Sequence, residues 1–174
     1  QAGSPVVTAE RRKNVILSQS RFVFGKKDKT RWPIPLVIKT DRGLLTDLMG
    51  RGKKELAGGM KWFKLNYGQT GFYRARYPED NLSELKVLVS GKQLPAVDRW
   101  SLQNDLFRLC RNGELGIDKY LDFIKSYDNE DNYLVLSSIY GSIRGIHFVF
   151  SEEDCWRRVW PGLKEVYAGT FKRI

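Results

Sequence analysis

Apolar and polar positions alternate from Asn14 to Phe24, with Ile16, Ser18, Ser20, Phe22 and Phe24 on one side and Val15, Leu17, Gln19, Arg21 and Val23 on the other. A period of two in a stretch rich in β-branched and aromatic residues predicts a strand. Gly25 to Lys29 is a polar turn, and Trp32-Pro33-Ile34-Pro35-Leu36-Val37-Ile38 follows. Its prolines cannot donate to a ladder, so this segment is expected at a sheet edge or at the entry to one. Residues 41–60 hold glycines at 43, 50, 52, 58 and 59, which predicts short strands or a hairpin anchored by Leu44, Leu45, Leu48 and Leu56. Lys61–Tyr67 and Gly71–Tyr77 flank Gly68-Gln69-Thr70 and are expected to form a hairpin. In the second of these strands Tyr73, Ala75 and Tyr77 share one face, and Phe72, Arg74 and Arg76 the other. Six or seven short strands separated by turns predict a β-sandwich.

Beyond residue 80 the period lengthens. Leu82–Val89 is a short amphipathic segment, and Leu94-Pro95 interrupts it. From Asp98 the apolar set Leu102, Leu106 and Leu109 recurs at i, i+4 and i+7, which predicts a helix with Asp98 as its cap or first-turn acid. Asn112-Gly113 is the stop signal. Helices are expected at Ile117–Tyr127, Tyr133–Ile143 and Glu152–Tyr167, the last kinked or restarted at Pro161-Gly162. Short loops imply antiparallel helical hairpins that could begin a solenoid. The fold class is therefore α+β by segments, with a sandwich over 1–80 and helices over 81–174.

Charge divides the chain in a similar place. Of the formal net charge of +10, residues 1–88 carry all the excess, with 18 Lys and Arg against 8 Asp and Glu, while the remainder is balanced. Such a basic half raises a second reading, a stand-alone module for an acidic protein or nucleic acid, centred on Lys26, Lys27, Lys53 and Lys54. The aromatic and basic residues interleaved over Lys61–Tyr77 could serve single-stranded nucleic acid. They lack the order of an RNA-recognition motif, so a sandwich strand pair is the favoured explanation. Gly50-Arg51-Gly52-Lys53-Lys54 lacks the spacing of a phosphate-binding loop.

The reactive inventory is small. His147 is the one histidine, so the paired histidines of a metalloprotease helix cannot be supplied, and a structural role is expected for it. Cys110 is expected as a buried thiol and Cys155 as a partly exposed one; with no disulfide framework, a reducing compartment is favoured. Asp128, Glu130 and Asp131, and Glu152, Glu153 and Asp154, stand at expected helix starts, where the dipole explains them. Gln1–Thr8 has neither the charged nor the apolar region of a signal peptide, and no apolar run is long enough to span a bilayer.

Several segments together resemble the zinc aminopeptidases of the gluzincin type, such as the alanyl, puromycin-sensitive and endoplasmic-reticulum aminopeptidases. They are Gln19-Ser20-Arg21-Phe22, Trp32-Pro33-Ile34-Pro35-Leu36, Trp62-Phe63-Lys64-Leu65-Asn66 and Gly71-Phe72-Tyr73-Arg74-Ala75-Arg76-Tyr77. Asp98-Arg99, Asp105-Leu106-Phe107, Gly113-Glu114-Leu115, and Glu130 with Tyr133 continue the series. The likeness covers roughly residues 5–140, and Leu136 stands where the family often has Trp.

The resemblance implies a sandwich bridging the catalytic domain to a C-terminal helical domain, of which 81–174 would be the beginning. The family's zinc helix, substrate strand and catalytic Tyr have no counterpart in this sequence. Catalytic, cofactor-binding and metal residues are therefore expected to be absent, with zinc held in the parent's catalytic domain. This chain alone is expected to be inactive. Its expected partners are the parent's catalytic and helical domains, or a second copy meeting exposed helix faces, with no nucleic acid and no membrane. A cytoplasmic location is favoured, with a membrane-anchored or secretory-pathway parent as the alternative.

Overall fold

Eight consecutive residues near the start, Ser4–Arg11 (β1), pair antiparallel with Val15–Phe22 (β2) across a short connection. The computed structural model describes residues 3–23 and 29–149, together with 157, 160–162, 164, 165 and 168. The chain divides into two compact units, Gln1–Leu85 and Lys86–Ile174.

The first unit holds two sheets. The strands that follow β2 are Ile34–Thr40 (β3), Gly43–Met49 (β4), Lys54–Leu56 (β5), Phe63–Leu65 (β6) and Arg74–Arg76 (β7). One sheet has the order β5-β2-β1-β7 and the other β4-β3-β6. Alternation fixes the buried faces: Val15, Leu17 and Gln19 on β2, and Ile34, Leu36, Ile38 and Thr40 on β3. Gln19 is a buried amide with its hydrogen bonds made. It donates to the carbonyls of Trp32 and Gly50, both at 2.8 Å, and accepts from the Trp32 N–H at 2.9 Å. It thus ties both ends of the β3–β4 hairpin to β2.

Four expectations change here. β1 carries no strict alternation, since Pro5, Val6 and Val7 are all buried, and pattern reading passed over it. β3 is the middle strand of its sheet rather than an edge, and the prolines stand at the entry to the strand, Pro33 just before it and Pro35 second in it. It tolerates Pro35 because β6 reaches only Ile38–Thr40, so no ladder asks for an N–H there. Of the four expected anchors only Leu56 is buried; Leu44, Leu45 and Leu48 are exposed on β4. β6 and β7 do not form a hairpin: β6 pairs with β3, and β7 runs parallel to β1 in the other sheet.

The physical reason for the last change is that side chains take the place of a partner strand on β6. The Tyr77 hydroxyl accepts from the Leu65 N–H at 3.0 Å, and the Tyr73 hydroxyl accepts from the Asn66 N–H at 2.9 Å. The Asn81 amide accepts from the Phe63 N–H at 3.0 Å and donates to its carbonyl at 2.8 Å. Asn66 adopts a left-handed backbone, which suits Asn. Its side chain donates to the carbonyls of Gly71 and Tyr73 and accepts from the Gly71 N–H, reversing the chain between β6 and β7. The expected face of Tyr73, Ala75 and Tyr77 is buried, and Phe72 is exposed.

The helices are Glu79–Ser90 (α1), Ala96–Arg111 (α2), Ile117–Ile124 (α3) and Tyr133–Val149 (α4). A 3-10 turn at Lys125–Tyr127 completes what reads as one helix from Ile117 to Tyr127. α2 begins two residues before Asp98, which is a buried first-turn acid. Its end is a Schellman motif: the Glu114 N–H reaches the Leu109 carbonyl, the Gly113 N–H reaches the Cys110 carbonyl, and Gly113 has φ +71°. α2 packs against α3 and α4, with Phe107 and Tyr120 rings 5.5 Å apart. Residues 160–162, 164 and 165 are helical; the rest of the expected Glu152–Tyr167 helix, and Cys155, lie largely outside the described residues. No described helix is long and apolar enough to cross a membrane.

Candidate functional site

Two clusters of polar contacts stand out among the described residues, a part-buried one in the first unit and a buried one in the second. In the first, Arg11 is the hub. It donates to the carbonyls of Met60 (2.5 Å) and Lys61 (3.2 Å) and to Asn81 Oδ1 (3.1 Å), pairs with Asp80 at 2.5 Å, and lies over the Phe63 ring. The start of α1 is thereby fastened to β1 and β6. Lys64, also on β6, is almost fully buried and donates its ammonium to the Leu65 carbonyl at 2.7 Å.

In the second cluster, Arg99 of α2 meets Glu130 in a bidentate pair of 2.6 and 2.8 Å, with both side chains under a tenth exposed. A third guanidinium nitrogen donates to the Leu94 carbonyl at 2.6 Å. The Tyr127 hydroxyl donates to the Arg99 carbonyl at 2.6 Å. Glu130 also accepts from the N–H groups of Asp131 and Asn132, and Asn132 caps α4 through the N–H groups of Leu134 and Val135. One carboxylate thus neutralises a buried cation and positions the start of a helix. Burial works to raise the Glu130 pKa. The hydrogen bonds and charge of Arg99 and the two backbone donors outweigh it and hold the group below its ordinary value. The same pairing raises Arg99. Beside this pair, the buried Gln103 accepts from the Tyr120 hydroxyl at 3.2 Å and donates to Ser138 at 2.5 Å, joining α2, α3 and α4.

Burial pushes the Tyr120 and Tyr127 phenols well above the ordinary tyrosine range. The fold therefore favours their neutral forms. The stability this confers is fully present below the unfolded value, about pH 10, and is lost as pH rises toward the folded values. The denaturant midpoint should be flat between pH 7 and 9, to within about a tenth, and fall above about pH 10. Tyr120→Phe should blunt that fall. A midpoint indifferent to pH through this range would contradict the assignment.

None of these residues forms a catalytic constellation. His147 lies on the exposed side of α4. Cys110 is half-buried rather than buried, and burial, with Asp118 second, raises its thiol pKa, which disfavours the nucleophilic thiolate. Among the described residues no three His, Cys, Asp or Glu converge where a metal could sit, and an exposed lone histidine does not fit zinc. Of the basic set, Lys26 and Lys27 lie outside the described residues, Lys53 is exposed, and Lys54 pairs with Asp47 at 2.6 Å. The Arg99–Glu130 pair is the feature that sequence reading missed. Both residues belong to recognised motifs, but they stand 31 positions apart and nothing local links them.

The sequence model of the ERAP1-like C-terminal domain matches residues 62–174. The chain belongs to that family. Within the ERAP1-like C-terminal domain match lie the Asn66–Tyr73–Tyr77 knot and the whole Arg99–Glu130 cluster. The chain is similar to Aminopeptidase 2 of Candida albicans, with 33% identity over 163 residues, covering 87% of this chain and 18% of that protein. It is 30% identical to the Tricorn protease-interacting factor F2 of Thermoplasma volcanium over 151 residues, covering 86% and 18%. It is 28% identical to the Puromycin-sensitive aminopeptidase of Caenorhabditis elegans over 155 residues, covering 80% and 16%. The chain thus spans less than a fifth of the length of these relatives and corresponds to one segment of much longer proteins.

Proposed function

We propose that this chain is a scaffold segment of a zinc-dependent aminopeptidase, without catalysis of its own. One observation carries the reading. The residues it shares with that family's motifs (Gln19, Asn66, Tyr73, Tyr77, Arg99 and Glu130) serve as joints between strands, turns and helices. In this reading the two sheets form a β-sandwich over 1–80, and the helices of 81–174 open a solenoid of hairpins. The sandwich packs against the catalytic domain and the solenoid continues into the remaining helical domain. The whole protein removes N-terminal residues from peptides with zinc-activated water, in the cytoplasm, and zinc and its ligands belong to chain outside these residues. Neither nucleic acid nor membrane is a partner.

The exposed side of α4 supports this packing role. Tyr133, Leu134, Tyr140 and Phe148 are each about half or more exposed and recur along the helix at positions that share a side. In the proposal that side is covered by further helix of the whole protein. A surface-sensitive dye should bind the folded chain. Binding should fall at least about three-fold when Tyr133, Tyr140 and Phe148 are replaced by Gln, a polar change on exposed positions that costs little stability. No dye binding to the wild type would remove the packing role.

A further inference from the structure

The two edges of the β4-β3-β6 sheet are treated differently. The outer edge of β6 is closed by Asn81, Tyr77 and Tyr73, which occupy the backbone groups of Phe63, Leu65 and Asn66. Among the described residues no strand pairs with the outer edge of β4. Its backbone shows the vacancy directly: the Leu48 N–H turns away from β3 and is taken by the neighbouring Asp47 carboxylate at 2.7 Å. Alternation along an antiparallel strand then points the amides and carbonyls of Leu44 and Thr46 outward with those of Leu48.

Edges of this kind are usually guarded by Lys, Pro, a bulge or brevity. β4 has seven residues, contains no Lys or Pro, and pairs with β3 in unbroken register from Gly43 to Met49. Its one charge, Asp47, is matched by Lys54 of the same chain, whose bond heads the causes that lower the Asp47 pKa. Leu44, Leu45 and Leu48 are 54%, 43% and 58% exposed.

The order of residues is also self-complementary. An antiparallel pairing of β4 with itself about Thr46 sets Leu44 against Leu48 of the second copy, Thr46 against Thr46, and Leu48 against Leu44. These are the three residues whose backbone groups point outward, so the N–H groups of Leu44 and Thr46 gain partners and the Leu48 N–H exchanges the Asp47 carboxylate for one. Their side chains lie on one side of the strand, giving two Leu–Leu pairs around a Thr–Thr pair. No lysine or arginine within β4 opposes its copy, although the first half of each chain is strongly basic.

We propose that β4 is a homotypic docking edge, on which two copies of this chain join into one six-stranded sheet across a two-fold axis at Thr46. A seven-residue edge covers less than the roughly 800 Å² per partner of a standard interface, so the dimer is weak and forms in the micromolar to millimolar range. Because two basic bodies approach each other, added salt strengthens it by screening.

The test is sedimentation equilibrium of the full chain over that concentration range, at low and moderate salt. The expected result is a monomer–dimer equilibrium that shifts toward dimer with salt. Thr46→Pro removes the central outward N–H and should abolish it. Leu44→Lys with Leu48→Lys, confined to exposed side chains, should do the same and keeps the test open if the proline variant fails to fold. In a Cys110→Ser, Cys155→Ser background, Thr46→Cys should crosslink to itself on oxidation, because directly opposed hydrogen-bonded residues stand about 5.5 Å apart at Cα. A monomer at all concentrations would overturn the proposal. So would a dimer that survives both β4 variants, or one lost instead on replacing Tyr133, Tyr140 and Phe148.

Discussion

Glu130→Ala should destabilise the helical unit by about 3–5 kcal/mol, because it leaves the Arg99 guanidinium buried without its carboxylate. The loss is large for three combined reasons. Arg99 keeps only the Leu94 carbonyl, which cannot neutralise a cation. The Asp131 and Asn132 N–H groups lose their acceptor at the entry to α4. The path back to solvent is closed, since both side chains are under a tenth exposed. The double replacement Arg99→Met, Glu130→Leu should recover most of the loss, because it removes both charges together. The linkage to pH has the same sign. Glu130 titrates below its ordinary value, so its contribution is complete above about pH 5 and fades as pH falls through the folded pKa. Denaturant unfolding with hydrogen exchange on α2 and α4 measures this. A loss below about 1 kcal/mol for Glu130→Ala would show that the pair is relieved by water, as surface pairs are.

Phe63→Ala should cost the first unit about 3–5 kcal/mol, at the upper end for a core truncation. Phe63 is fully buried on β6, with the Tyr77 ring 6.1 Å away on one side and the Arg11 guanidinium 5.3 Å from its centroid on another. Arg11 is held by Met60, Asp80 and Asn81, and Tyr77 by Leu65, so neither can move inward to fill the void without breaking its own bonds. A site that cannot collapse bears the full cavity term. Hydrogen exchange should accelerate on β6, β3 and the start of α1. Phe63→Leu, which restores most of the volume, should recover more than half of the loss. A Phe63→Ala chain within about 1 kcal/mol of wild type would mean that Arg11 does not anchor the α1 start as described.

What the sequence made legible was the face each residue presents, and less often its neighbour. Alternation separated Val15, Leu17 and Gln19 from the opposite side of their strand, and Tyr73, Ala75 and Tyr77 from theirs, and in both cases the structure buries that set. Asn112-Gly113 marked the end of α2 because only a residue free to take positive φ can close a Schellman motif there. Periodicity carries no information about pairing partners. The β6–β7 hairpin was expected from proximity in sequence, yet tyrosine hydroxyls and an asparagine amide satisfy β6 where β7 would have been. The leucines of β4 read as core because hydrophobicity alone does not separate a buried strand from an exposed edge. The Arg99–Glu130 pair was recognisable as two separate family motifs, but their contact is a property of how α2 and α4 pack. The resemblance itself was strong in the sequence, because its motif residues recur in order along most of the chain.

The most direct test of the scaffold account is aminopeptidase activity of the purified chain on fluorogenic aminoacyl substrates, with and without added zinc, alongside its zinc content after dialysis. The account predicts no turnover in either condition and no stoichiometric zinc, because the described joints bind backbone and one another and offer no metal site. Zinc-dependent hydrolysis that follows the chain through purification would contradict it.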